Sequence, residues 1–143
     1  MVILIDTNIV LDVIQGRKPY CEVAADIFTL CAMKKVTGYI ALHSVSNIFY
    51  ILRKSYSIEE RRKILKDVLK IFTVTGASHQ RVLEALGKEE FKDFEDCLQD
   101  ECAKEIQADY LVTRNIDDFK ESETQAVKPE IFLKILQDME PLE

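Results

Sequence analysis

The chain has 143 residues, 48% of them hydrophobic, and a formal net charge of −6. That length fits one folded domain, residues 1–143, with a substantial core, and the apolar share excludes an intrinsically disordered chain. The acidic balance argues against a protein that coats nucleic acid by bulk electrostatics, yet it leaves room for a nuclease whose acids bind metal while local basic residues track phosphate.

Residues 2–5, Val-Ile-Leu-Ile, are a short apolar run rich in β-branched side chains and predict a strand buried on both faces. Asp6, Thr7 and Asn8 follow at once. Ile9, Val10, Val13 and Ile14 then recur at helical spacing until Gly16, which predicts a helix over 7–15. After a turn with Pro19, residues 22–35 place Val23, Ile27, Leu30 and Cys31 on one helical face. Residues 36–42 predict a second strand with Gly38 inside it. Residues 44–53 predict a third helix carrying Val45, Ile48, Phe49 and Leu52.

Ser57-Ile58-Glu59-Glu60 has the spacing of a capping box and opens a fourth helix with Ile64, Leu65, Val68 and Leu69 inward. A third strand is predicted at 71–74. Ser78 caps a fifth helix that stops near Gly87. A sixth helix is expected over 95–107, a fourth strand at 110–113, and a short strand near 126–127. Pro129 fits the first turn of a last helix running to about residue 137. Strands alternating with helices imply right-handed crossovers, hence a three-layer α/β/α sandwich around a parallel sheet of four to five strands.

No apolar run is long enough to span a membrane, and the N-terminus lacks the basic start of a secretory leader. Cys21, Cys31, Cys97 and Cys102 form no Cys-x-x-Cys pair, and His43 and His79 lie at no zinc spacing from them. The expected setting is cytoplasmic, with reduced and mostly buried thiols.

Three segments carry the chemistry. A carboxylate just past the carboxyl end of a buried parallel strand sits where open α/β sheets bind ligands, and this is the position of Asp6. The same residue also suits the N-cap of the following helix. Asp93, Glu95 and Asp96 lie where the sixth helix begins, where the macrodipole favours acids; for Glu95 that is the preferred reading, whereas Asp96 is taken as a site residue. Thr113, Arg114, Asn115, Asp117 and Asp118 follow the fourth strand. Strand ends and helix starts share one edge of a parallel sheet, so Asp6, Asp96 and Asp118 can converge. Packed carboxylates repel unless a cation joins them, and Mg²⁺ or Mn²⁺ prefers such oxygen ligands. Asn8, Asn47, Thr113 and Asn115 are placed to orient waters or carboxylates. Arg17 and Arg114 are the preferred phosphate contacts, with Arg53 and Lys54 behind them, and Tyr20 or Tyr50 could stack on a base.

The runs Ile5-Asp6-Thr7-Asn8, Phe91 to Gln99, and Leu111-Val112-Thr113-Arg114-Asn115 through Asp118-Phe119 resemble, in order and separation, the PIN domain, a metal-dependent ribonuclease fold that includes the VapC-type toxins of toxin–antitoxin pairs. The resemblance implies that Asp6, Asp96 and Asp118 hold the metal and that Asn47, Asn115 and Thr113 assist catalysis. Asn8, Arg17 and Arg114 would contact substrate. It further implies cleavage of single-stranded RNA with Mg²⁺ or Mn²⁺, an antitoxin protein as partner, and a homodimer. Two positions depart from the family pattern. A glutamate is common on the third helix where this chain has Asn47, and an aspartate is common soon after the fourth strand where it has Asn115. With three carboxylates in the set, the expectation is one protein-held ion, any second arriving with substrate. The alternative is a catalytically weakened PIN-fold module for RNA binding or protein interaction. A phosphoacceptor receiver is disfavoured because no lysine ends a late strand, and an Asp-x-Asp phosphatase because position 8 is Asn.

Overall fold

The computed structural model describes residues 1–140, so the last three residues of the expected domain lie outside the described residues. Five parallel strands form one sheet: β1 (Val2–Ile5), β2 (Thr37–Ala41), β3 (Thr73–Thr75), β4 (Tyr110–Val112) and β5 (Ala126–Val127), in the spatial order β3-β2-β1-β4-β5. Seven α-helices flank it: α1 (Thr7–Ile14), α2 (Cys21–Ala32), α3 (Leu42–Ile51), α4 (Ile58–Val68), α5 (His79–Leu86), α6 (Phe94–Glu105) and α7 (Pro129–Met139). None is long and apolar enough to cross a membrane.

The pleat of β1 sorts its side chains into two cores. Ile3 and Ile5 face a large apolar layer with Ile9 and Val10 of α1, Ile27 of α2, Ile48 of α3, Leu65 of α4 and Phe132 of α7. Leu4 points the other way and packs with Ala41, Leu111 and the α6 residues Cys102 and Ala103. All three β1 side chains are wholly buried. The sheet is therefore covered on both faces, as an uninterrupted apolar strand requires.

Two predicted boundaries move for local reasons. The second helix stops at Ala32 because Lys34 adopts a left-handed backbone (φ +59°), with the Lys35 amide donating back to the Leu30 carbonyl. The third strand starts at Thr73, not at 71, because the amides of Ile71 and Phe72 both return to the Val68 carbonyl in the turn that closes α4. Of the apolar residues on α3 and just after it, Ile48 and Leu52 are fully covered, while Ile51 is partly exposed.

The order of strands fixes where a site can form. The chain builds outward from β1 to β2 and β3, then returns to the opposite side of β1 for β4 and β5. The reversal lies between β1 and β4, and a crevice opens at the carboxyl ends of such a strand pair. Asp6 leaves β1 there and Thr113 leaves β4.

Candidate active site

Asp6 does two jobs at this edge. Its Oδ1 accepts from the Thr7 amide at 2.8 Å at the start of α1, and its Oδ2 accepts from the Thr113 hydroxyl at 2.8 Å. Thr113 Oγ1 in turn accepts from the Asn115 amide at 3.0 Å. Thr113 is fully buried and Asp6 nearly so. The two strands that border the crevice are thus tied by one carboxylate, whose direction is set before any ligand arrives.

A cavity of about 420 Å³ opens above this point. Its walls come from four regions: Asp6, Thr7 and Asn8 at the β1–α1 junction; Asn47, Tyr50 and Ile51 on α3; Asp93, Glu95, Asp96 and Gln99 at the start of α6; Asn115 and Asp118 after β4. The lining holds five carboxyl groups and no lysine or arginine. Burial, and then the neighbouring Asp93, Asp6 and Asp118, push Asp96 up to about 7. Burial likewise raises Asp6, although bonds from Thr113 and Thr7 hold it back. Both carboxyls are raised first by burial and then by neighbouring acids, with Arg114 offsetting part of the effect at Asp6.

Residues 2–117 match the family model of the PIN domain. This chain belongs to the PIN domain family. Solved structures of the same fold include VapBC2 of Rickettsia felis bound to a DNA fragment from its promoter (23% identity, TM-score 0.68, covering 90% of this chain and 98% of that one). A toxin–antitoxin complex from Klebsiella pneumoniae (22%, TM-score 0.65, covering 88% and 96%) and PAE2754 of Pyrobaculum aerophilum (17%, TM-score 0.62, covering 97% and 100%) are similar in the same way. No curated protein matches the sequence.

The PIN fold brings Asp6, Asp96, Asp118, Asn47, Asn115 and Asn8 to one cavity, with Thr113 beneath it. Arg17 and Arg114, expected at phosphate, are not part of its lining. Arg114 donates from Nε and Nη2 to Asp12 at 2.7 and 3.1 Å, and Arg17 Nη1 lies 3.7 Å from the same carboxylate. The reason is Asp12 itself, a fully buried acid on α1 that must be paired. Nothing in the sequence marks Asp12, which interrupts an apolar helix face without belonging to any motif. Tyr20 is engaged there too, its ring 3.9 Å from the Arg114 guanidinium. Asp93 and Glu95 are more than helix-start acids. Asp93 is the N-cap of α6, accepting from the Glu95 amide, and Glu95 receives the Asn47 amide at 3.3 Å while lining the cavity.

Gln99 and Ser44 were missed. Gln99 Nε2 donates to Ser44 Oγ at 2.7 Å and lies 3.4 Å from Thr7 Oγ1, and Thr7 donates to Ser44 at 2.7 Å. These bonds join α1, α3 and α6 under the cavity. Gln99 falls one helical turn after Asp96, on the same face, and that spacing was the available signal.

The donor set suits a hard divalent cation: carboxylate, amide and hydroxyl oxygens in a cleft with no competing base. Among the described residues, no three His, Cys, Asp or Glu side chains stand close enough to form a ligand cage by themselves. That arrangement fits an ion that keeps several of its waters, as Mg²⁺ does, with protein oxygens reaching it partly through them.

Proposed function

We propose that this PIN domain is a divalent-cation-dependent ribonuclease that hydrolyses phosphodiester bonds of single-stranded RNA. The observation that carries the reading is the meeting of Asp6, Asp96 and Asp118 at one cavity, at the sheet's point of reversal, with no lysine or arginine among its walls. Asp6, Asp96 and Asp118 would hold Mg²⁺ or Mn²⁺. When bound, such an ion lowers the pKa of a water and offsets charge on a phosphodiester.

The chain's own residues do the rest. Thr113 and the Thr7 amide fix both oxygens of Asp6, so that this carboxylate meets the ion without reorganising. Asn47 holds the Glu95 carboxylate beside the cavity. Asn8 and Asn115 line the same cavity and would meet the substrate there. Arg53, which makes no ion pair among the described residues, lies 3.6 Å over the ring of the cavity-lining Tyr50 and is the basic group best placed for phosphate. Its stacked partner offers a flat, largely exposed surface to a base.

Support for a toxin of a toxin–antitoxin pair comes from the company of the fold, since the K. pneumoniae structure is a toxin–antitoxin complex and the R. felis one is VapBC2 on its promoter DNA. A cytoplasmic setting, an antitoxin partner and pairing of two copies belong to this proposal.

The deciding experiment compares wild type with Asp6→Asn. Wild type should cleave single-stranded RNA with Mg²⁺ or Mn²⁺, and the variant should lose that cleavage while keeping its circular dichroism spectrum. Undiminished cleavage in the variant removes the assignment. A second reading, a PIN-fold binding module without catalysis, is favoured by the amides at positions 47 and 115, and by the absence, among the described residues, of three acids close enough to cage an ion unaided. It predicts no change of melting temperature at millimolar Mn²⁺ in wild type.

A further inference from the structure

A strongly basic stretch of this acidic chain begins at the cavity's rim. Residues 53–66 carry six basic side chains and two acids, a net +4 in a chain whose total is −6. Arg53 and Lys54 belong to the single 3₁₀ turn after α3 (Leu52–Lys54), and Arg61, Arg62, Lys63 and Lys66 lie on α4. Lys63 is answered by Asp67, but Arg53, Lys54, Arg61, Arg62 and Lys66 form no ion pair among the described residues. Of the two acids, Glu60 is taken up by the capping box with Ser57, and Glu59 stands beside it in the first turn of α4.

Two of these cations are already held in place. Arg53 donates from Nη1 to the Tyr50 carbonyl at 2.9 Å, its guanidinium 3.6 Å over that residue's ring. Arg61 donates from Nη1 to the Phe49 carbonyl at 3.0 Å and from Nε to the Ser57 carbonyl at 3.3 Å, and it lies 4.4 Å over the Phe49 ring. The two guanidiniums therefore rest on consecutive residues in the last turn of α3, one of which, Tyr50, is a wall of the cavity. Cations at the carboxyl end of a helix offset its dipole, which accounts for the bonds to the α3 carbonyls. It leaves most of the donors unused, since a guanidinium has five N–H groups. Stacking has already removed the side-chain freedom that binding would cost, and the planar fork matches two phosphate oxygens. Lys54 and Arg62, the sequence neighbours of this pair, are exposed. No lysine or arginine lines the cavity, so phosphates flanking the one at the ion would find their cations on this rim.

We infer that the end of α3 and the start of α4, through Arg53, Lys54, Arg61 and Arg62, form a phosphate track for single-stranded RNA that runs on from the cavity past Tyr50. The inference rests on reading the cavity as a ribonuclease site. It adds the class of substrate: a strand that extends beyond the cut on one side and is held there by its backbone, without regard to sequence.

The test uses the full chain carrying Asp6→Asn. Fluorescence anisotropy over a salt series follows binding of oligouridylates of about 4 and about 16 nucleotides, the range of single-strand site sizes. Lys54→Gln combined with Arg62→Gln removes two cations that make no ion pair in the protein. On the long strand the slope of log affinity against log salt should fall by about 1.4, two phosphate contacts at about 0.7 each, while the short strand should change little. Arg61→Gln, which keeps a donor for the Phe49 carbonyl, should take away about 0.7 more. Lys35→Gln removes one charge just before β2, at the opposite edge of the sheet, and should leave the slope level. An unchanged slope in the double variant overturns the track and leaves these cations to a partner other than RNA. A fall matched by Lys35→Gln also overturns it, as the effect of net charge alone, and so does an equal fall on both strand lengths or a parent that binds neither strand. Cleavage by the chain with Asp6 intact, measured alongside, keeps the two proposals apart. Cleavage with a level slope overturns only the track, whereas the predicted fall in slope without cleavage upholds the track and removes the nuclease.

Discussion

Arg114 grips Asp12 with two hydrogen bonds, 2.7 and 3.1 Å long, around a carboxylate that solvent does not reach. The pair ties the segment after β4 to α1, and Tyr20 covers the guanidinium from the start of α2. Because Arg114 stands between Thr113 and Asn115, the ion pair also fixes the chain that delivers Asn115 and Asp118 to the cavity. Removing one partner of a buried pair leaves an uncompensated charge and costs about 3–5 kcal/mol. Arg114→Ala should therefore destabilise by that order in urea unfolding, with Arg17 softening the loss from 3.7 Å away. Arg114→Lys should recover only part of it, since an ammonium cannot reproduce the planar two-point bond. An unchanged urea midpoint in Arg114→Ala would show that the pair contributes nothing.

Asp96 gives the metal-free protein an unusual pH dependence. Its carboxyl is held up at about 7, against 3.8 as the ordinary value. Between those two values the folded state binds more protons than the unfolded state, so stability falls as pH rises through that window. The metal-free melting temperature should increase as pH is lowered from 8 to about 5. Asp96→Asn should flatten this slope and melt higher than wild type at the alkaline end. Mn²⁺ should do the opposite of the proton, stabilising wild type most above pH 7 and losing affinity below it as protons compete for Asp96. A wild-type melting temperature that rises between pH 5 and 8 without metal would contradict this account.

How much of this was legible in the sequence depends on how local the cause is. β1 and the placement of Asp6 could be read directly, because four apolar residues ending on a carboxylate encode both burial and position. The capping box of α4 was equally readable, and both of its reciprocal bonds are present. The parallel sheet, though not the order of its strands, followed from alternation, and with it the shared edge at which positions 6, 96 and 118 meet. What could not be read was pairing across the fold. Arg114 looks like a phosphate contact until Asp12, distant in sequence, is seen to be buried without another strong partner. Gln99 looks like any helix residue until Ser44 and Thr7 are brought under it. Glu95 looks like a residue serving the helix dipole until Asn47 reaches it from α3. In each case the decisive partner sits on another element.

Tyr50 is 61% exposed while lining the cavity, and the Arg53 guanidinium rests on its ring. Stacking of a base on an aromatic ring is worth about 1–3 kcal/mol. In an Asp6→Asn background, which retains RNA uncut, Tyr50→Ala should weaken binding of a single-stranded oligonucleotide by roughly 5–150-fold, whereas Tyr50→Phe should bind like its parent. Arg53→Ala should lower affinity less and reduce the salt dependence of binding by about one phosphate contact. Fluorescence anisotropy across a salt series measures both. Equal affinity for Tyr50→Ala and its parent would remove Tyr50 from the substrate path.

Glu101 on α6 is fully buried and answers to Lys88 at 2.8 Å, Lys104 at 3.2 Å and Arg81 at 3.5 Å. Burial alone would raise its carboxyl, but the bonds from Lys88 and Lys104 prevail and hold it below the ordinary value of 4.5. A depressed acid contributes stability that is complete above its unfolded pKa and is lost as pH falls through the folded one. Glu101→Gln should therefore destabilise the protein at neutral pH, leaving three cations around a neutral amide, and should show a shallower loss toward acid than wild type. Urea midpoints at pH 7 and pH 4 measure the difference. Parallel losses in the two proteins would mean that Glu101 is not part of the acid response.

Gly38 sits within β2 where the sheet meets the α2 layer, and the space that a side chain would need is already taken. A Cβ built there would stand 2.6 Å from Phe72 Cδ1, 2.7 Å from Phe72 Cε1 and 2.8 Å from Cys31 Sγ. Phe72 is buried and packed edge-on against Phe28, with ring centroids 4.8 Å apart, and Cys31 is 4% exposed. Neither has room to swing aside, so one methyl group must displace a ring or bend the strand. Overpacking of this kind typically costs about 1–3 kcal/mol. Strand propensity alone would favour Ala over Gly by a fraction of that, so the sign of the effect separates the two influences. Gly38→Ala should lower the urea midpoint, and the double variant Gly38→Ala with Cys31→Ala should regain part of the loss by vacating the sulfur's place. A stabilised single variant would show that the β2–α2 interface is looser than the contact distances imply.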